Sequence, residues 1–221
     1  MKYFIDFEFI EGFHKPMIGR KRHFIDMISV GIACEDGREY YAISTEFNPK
    51  NANEWVKNNV ISKLPDRYVD IMDSPNRRMQ AMAWKPNKVI LRDIYDFFGY
   101  APFDTGFGSD WLGADQDIQV YGYYADYDWV LLCSLFGRMM DLPDAFPMHC
   151  IDLKQILDEK VGNLNNSDFF TEFHKTEPLS FRDKLELVKT KNTKYPKQVN
   201  EHNALADAKW NYELYKFLQT I

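Results

Sequence analysis

Near its amino terminus the chain reads Phe4-Ile5-Asp6-Phe7-Glu8-Phe9-Ile10-Glu11. Strand alternation puts Tyr3, Ile5, Phe7 and Phe9 on one face and Phe4, Asp6, Glu8 and Ile10 on the other. Both faces are largely apolar, so the strand belongs inside a sheet, and the fold must accommodate two carboxylates side by side there. Asp6 and Glu8 lie about 6.6 Å apart along such a strand. At an effective dielectric near 20, their repulsion is roughly 2–3 kcal/mol. A hard divalent cation such as Mg²⁺ or Mn²⁺ takes oxygen ligands and reverses that sign. An exposed acidic strand end is the alternative that so short a motif leaves open.

With 221 residues, 45% hydrophobic and 16% aromatic, the chain is long enough for one sizeable core, and a single domain spanning residues 1–221 is expected. A net charge of −6 argues against a protein that coats nucleic acid electrostatically, so any nucleic-acid contact must be local. Cys34, Cys133 and Cys150 are odd in number and widely spaced, which fits reduced thiols rather than a disulfide framework. Asp6 and Glu8 interrupt any amino-terminal apolar signal, and no other run is long enough to span a bilayer. A soluble, cytoplasmic protein with no membrane partner is expected.

Strand Lys2–Ile10 is followed by a charged loop from Glu11 to His23, then by a predicted strand Phe24–Cys34. The hairpin signal Asp36-Gly37 returns the chain as Arg38–Ser44, completing an antiparallel meander. Helices are predicted over Glu54–Val60, capped by Asn53, and over Pro86–Phe98, stopped by Gly99. Tyr100–Asp117 reads as a Gly- and Asp-rich excursion. A strand Ile118–Tyr124, a helix Asp126–Met139, a strand near Met148–Ile151, a helix Asp152–Glu159, a basic segment Arg182–Lys197 and a last helix follow. Strands first, then alternating helix and strand, indicate an α/β fold with a mixed β-sheet flanked by helices.

Two further places carry acids in unusual surroundings. In Tyr124–Leu132 (YADYDWVLL) a strand gives way to a helix. Asp126 suits an N-cap, whereas Asp128 sits in the first turn among Trp129, Val130, Leu131 and Leu132, where the helix dipole explains it only in part. In Glu201–Trp210 (EHNALADAKW), His202 and Asp207 are five residues apart, about 140° on a continuous helix. Facing one site together therefore requires His202 to lie in the turn before the helix. Asp207 then lies inside it, among Ala204, Ala206 and Ala208, and a core-facing acid needs a partner. Taken singly, each admits a structural reading: cap, dipole complement, or surface histidine.

Together, the DxE strand, the aromatic-Asp junction and HxxxxD entering the last helix resemble the DEDDh 3′-to-5′ exonucleases of the DnaQ or RNase T type, built on the RNase H-like fold. Within that family, DFEFIE, ISVGIACEDGREYYAIS, YYADYDWVLL and IDLKQ are similar to small bacterial and phage exoribonucleases related to the mycobacterial polyadenylate-specific 3′-exoribonuclease. The resemblance implies that Asp6, Glu8, Asp128 and Asp207 hold two Mg²⁺ or Mn²⁺ ions and that His202 is the general base. Asn203 stands where a sister branch has tyrosine. It implies an RNA 3′ end as substrate, release of nucleoside 5′-monophosphates, and a homodimer. Phe9 and Tyr124 are candidate contacts for the terminal nucleotide. Lys15, Arg20, Lys21, Arg22, Arg182, Lys184, Lys189, Lys191, Lys194 and Lys197 are candidate phosphate contacts. Phe7 and Phe9 replace threonines found in many relatives. A DNA-directed exonuclease with the same site, a non-catalytic RNase H-like nucleic-acid-binding module, and a metal-dependent phosphatase are the competing readings.

Overall fold

A computed structural model describes residues 1–14, 18–70, 72–99, 117–144, 146–164 and 179–221. The expected excursion at 100–116 and Lys15 lie outside these residues. Six strands are described: β1 (Lys2–His14), β2 (Arg22–Cys34), β3 (Glu39–Ser44), β4 (Trp84–Lys85), β5 (Gln119–Gly122) and β6 (Ile151–Asp152). They form one sheet in the order β4-β3-β2-β1-β5-β6. β1, β2 and β3 pair antiparallel, while β5 lies parallel to β1 and β6 parallel to β5. The α/β mixed sheet with an antiparallel leading meander is as expected, and β1 is interior.

The two faces of β1 go to different cores. Tyr3, Ile5 and Phe7 pack with Ile90, Ile94 and Phe98 of helix α3 (Asn87–Phe97) and its cap, and with Leu131 and Leu132 of α4 (Asp126–Phe136). On the opposite face, Phe4 joins Leu153, Leu157 and Val161 of α5 (Leu153–Asn163) and Leu214 of the last helix, α7 (Ala204–Leu218). Farther along that face, Ile10 packs with Ile28, Ile43 and Val56 of α1 (Glu54–Asn59). Each fully buried aliphatic or aromatic side chain contributes about 1.5–3 kcal/mol. Asp6 and Glu8 fall in the gap between these two apolar clusters, so the strand is anchored on both sides of its acids.

Gly31 of β2 sets how closely α7 can approach. A Cβ built there would lie 2.2 Å from the carbonyl of Ala204, so only glycine admits the first turn of α7 against the sheet. Asn211, buried one turn after Asp207, donates to the Ile5 carbonyl at 2.9 Å and ties the helix to β1.

Several expectations are corrected. Glu11–His23 is not a loop throughout: β1 continues to His14 and β2 begins at Arg22, so Glu11 lies within the strand, held by His23 Nε2 at 2.7 Å. Cross-strand pairing supplies the order that a charged composition conceals. Asp126 is not an N-cap: Ala125 occupies that position and Asp126 is exposed in the first turn. That helix stops at Phe136, not Met139, because Gly137 takes φ 115°. β5 ends at Gly122, leaving Tyr124 in the turn with φ 57°. The basic segment contains helix α6 (Phe181–Lys191), whose Val188 is buried, and a short helix α2 (Pro75–Ala81) leads into β4.

Candidate active site

The site opens where the sheet stops pairing around β1. β5 pairs with β1 only over Lys2–Phe4, and on the other side the register with β2 shifts between Glu8 and Phe9. Such a bulge bends a strand and re-aims its side chains. The strand therefore delivers Asp6 and Glu8 into a cleft bounded by α4 and α7 rather than into a continuous ladder.

Asp128 reaches the cleft from the first turn of α4. It is 6% exposed and accepts a hydrogen bond from the Phe7 amide at 3.2 Å, across 121 residues of chain. The amide that β5 no longer pairs is taken by this carboxylate, which places it between the acids of β1. Asp152 ties down the preceding turn: as N-cap of α5 it accepts from the Lys154 amide at 2.6 Å and from the Tyr124 amide at 3.3 Å.

Asp207 and His202 come from the entry to α7. Asn203 caps the helix, its side chain accepting from the Ala206 amide at 3.1 Å. His202 lies in the turn before it, as its spacing from Asp207 requires, with φ 66°. Its amide donates to Asp207 Oδ2 at 2.8 Å, and Gln198 donates to Oδ1 at 2.7 Å. Lys63 Nζ donates to the neighbouring Glu201 carbonyl at 3.0 Å. The Trp55 ring stands edge-on to the imidazole, 4.8 Å between centroids. The turn's backbone is thus held on several sides. His202 Nδ1 is 3.9 Å from Glu8 Oε1, and donor atoms of Glu8, His202 and Asp207 lie within 4.8 Å of one another.

Burial disfavours the charged form of all four acids. Burial, and then the charges of Asp128, Asp207 and Glu8, push the Asp6 carboxyl well above its usual range. Burial, with Asp207 next, pushes Glu8 up to about 7, partly opposed by Lys63. Burial and the charges of Glu8 and Asp152 push Asp128 up to about 8, with the Phe7 amide opposing. Burial also raises Asp207, against the Gln198 and His202 hydrogen bonds. All four shift in the direction that resists charge, with desolvation and like-charge repulsion acting together.

The aromatic candidates lie on either side. Phe9 lines a groove of about 540 Å³ with Glu8, Trp55 and Val56, and stacks on Tyr127 at 5.6 Å. Tyr124 is 64% exposed, with Lys154 Nζ 5.7 Å from its ring centre. Trp55, 54% exposed, carries no signal in the sequence, because nothing in EWVKNN shows that its ring meets a histidine 147 residues later. Lys63 escapes sequence reasoning for the same reason, and Gln198 because its bond to Asp207 depends on how the chain turns before α7. Of the proposed phosphate contacts, Lys197 lines a groove with Asn200 and Asn203 beside the His202 turn, whereas Lys184 is engaged by the Leu164 carbonyl.

Two 3′-5′ exoribonucleases of Mycobacterium tuberculosis, Rv2179c of strain H37Rv and its counterpart in strain CDC 1551, are each 32% identical to the chain over 160 residues, covering 72% of it and 76% of theirs. Residues 1–219 match the Rv2179c-like 3′-5′ exoribonuclease domain, and with that match across its length the chain belongs to the Rv2179c-like exoribonuclease family.

Proposed function

We propose that the chain is a metal-dependent exonuclease of the DEDDh type that removes nucleoside 5′-monophosphates from RNA 3′ ends. The observation that carries this reading is the meeting of Glu8, Asp207 and His202, whose donor atoms lie within 4.8 Å of one another, with Asp128 held on the Phe7 amide between Asp6 and Glu8. The donor set fits a hard cation: carboxylate oxygens predominate, and their raised pKa values are those of a cluster short of positive charge.

Asp6, Glu8, Asp128 and Asp207 would hold two Mg²⁺ or Mn²⁺ ions, which would activate water and stabilise the leaving 3′-oxygen of a phosphodiester. His202, its backbone held by Asp207 and its Nδ1 facing Glu8, takes the proton from the attacking water. A positioned base of this kind is worth about 10²–10⁴-fold. The groove between Phe9 and Trp55 receives the terminal nucleotide, whose base can stack there.

RNA is favoured over DNA because both mycobacterial relatives carry the name of exoribonucleases. The free cysteines Cys34, Cys133 and Cys150 suit a reducing, cytoplasmic setting. Among the described residues no helix is long and apolar enough to cross a membrane. End-labelled RNA and DNA oligomers, incubated with Mn²⁺ and with EDTA, provide the test. The reading expects Mn²⁺-dependent shortening of RNA from its 3′ end and none with Asp6→Asn. Degradation of DNA alone overturns the substrate, and activity equal to wild type in Asp6→Asn overturns the site.

A further inference from the structure

Glu8 differs from the other acids in its support. Asp128 accepts from the Phe7 amide, and Asp207 accepts from Gln198 and His202. Among the described residues, the only polar contact at the Glu8 carboxylate is His202 Nδ1 at 3.9 Å, too long for a hydrogen bond.

Two buried hydroxyls nearby show the complementary deficit. Ser29 Oγ and the Tyr41 hydroxyl are both shielded from solvent, and among the described residues neither has a hydrogen-bond partner. Buried polar groups are nearly always satisfied, so a pair of orphans on one face calls for an explanation. Their placement follows from register. Ser29 is directly opposite Glu8 in the β1/β2 pair, and directly paired residues on adjacent strands share a face with Cβ atoms about 4.5–5.5 Å apart. Tyr41 pairs with Gly31, which pairs with Asp6, so all of these positions lie on the acid-bearing face. Because Gly31 has no side chain, the phenol and the acids are separated by the first turn of α7. The polar groups nearest the Tyr41 hydroxyl are those of Ser29 and Asn203, and the Glu8 charge acts on it.

We propose that Ser29 and Tyr41 are positioning residues for Glu8: Ser29, directly opposite it, donates to the carboxylate, and Tyr41, behind Ser29, holds that hydroxyl in place, so that Glu8 is kept towards the metal centre. An acceptor without a donor thus faces, across one strand pair, a buried hydroxyl that needs an acceptor. Outer partners that orient a ligating group are typically worth about 10–100-fold in metal affinity or activity. The inference rests on the metal-dependent exonuclease reading.

Ser29→Ala, Tyr41→Phe and the double variant remove hydroxyls without adding atoms. Metal-stripped proteins are compared by calorimetric titration with Mn²⁺, by thermal melting in EDTA, and by kcat and KM on an RNA oligomer. The double variant should bind Mn²⁺ about 10–100-fold more weakly, melt no lower than wild type, and lose kcat at limiting Mn²⁺ with KM unchanged. Tyr40→Phe is the control: its hydroxyl bonds Asp93 at 3.3 Å on the opposite face, so its loss should leave Mn²⁺ affinity unchanged. If wild type binds Mn²⁺ and the double variant matches it, or if the hydroxyl variants melt lower, the positioning role is overturned while the exonuclease reading stands. If wild type neither binds Mn²⁺ nor shortens RNA, the exonuclease reading itself fails and the inference fails with it.

Discussion

Replacing Glu8 by glutamine should make the metal-free protein more stable at alkaline pH while abolishing activity. Burial, and next the charge of Asp207, raise this carboxyl from 4.5 to about 7 in the folded chain. The folded protein therefore keeps a proton that the unfolded chain has already released, and stability falls as pH rises through this interval. The loss begins near the unfolded value of 4.5 and is complete once pH exceeds about 7. A rise of that size corresponds to about 3 kcal/mol. Glutamine preserves the shape and cannot ionise, so Glu8→Gln should escape the penalty. For a chain of this length each kcal/mol moves Tm by about 2–4 °C, so the variant should melt roughly 6–12 °C above wild type near pH 8 and match it near pH 4. Melting curves in EDTA across this range provide the measurement. Mn²⁺ at roughly a thousandfold excess over Kd should reverse the ranking, because it stabilises wild type by about 4.1 kcal/mol. Parallel Tm curves for the two proteins in EDTA would refute the reasoning, because they would mean that Glu8 carries no buried charge penalty.

Other expectations concern the remaining parts of the site. His202→Ala should lower kcat by about 10²–10⁴-fold yet leave Mn²⁺ binding largely intact; a collapse of metal affinity would show that the imidazole is a ligand instead. Asp128→Asn keeps an oxygen for the Phe7 amide, so its fold should hold while activity falls further than in His202→Ala; residual activity above that of His202→Ala would remove Asp128 from the metal centre. Gly31→Ala puts a methyl 2.2 Å from the Ala204 backbone; overpacking typically costs about 1–3 kcal/mol, so Tm and activity should drop together, and an unchanged Tm would mean that α7 is not held against this strand. Trp55→Ala should raise KM for RNA by the loss of a stacking contact worth about 1–3 kcal/mol per base; an unchanged KM would exclude the Phe9–Trp55 groove as the nucleotide site.

What the sequence determined by itself was whatever depends on local periodicity and on the cost of misplaced charge. Alternation in Phe4–Glu11 was enough to place Asp6 and Glu8 on one face of an interior strand, because side-chain direction in a strand is set by parity. The five-residue interval from His202 to Asp207 was enough to require a turn before the last helix, because helical pitch forbids the alternative. Asp36-Gly37 was enough for the first hairpin. Non-local facts were decided only by the tertiary structure. Glu11–His23 looks like a loop because its composition is charged, whereas the strands that occupy its two ends arise from pairing with each other, which is not a property of either segment alone. Asp126 looks like a cap because cap preference is read from residue type, whereas Ala125 takes the position through the backbone path from β5. Trp55, Lys63 and Gln198 meet the His202 turn from distant or differently folded segments, and Ser29 and Tyr41 come to face Glu8 through strand register. The missing side chain of Gly31 lets the first turn of α7, and with it the His202 turn, approach the sheet. Contact between segments remote in sequence depends on register and packing distance, and neither is written in the local pattern.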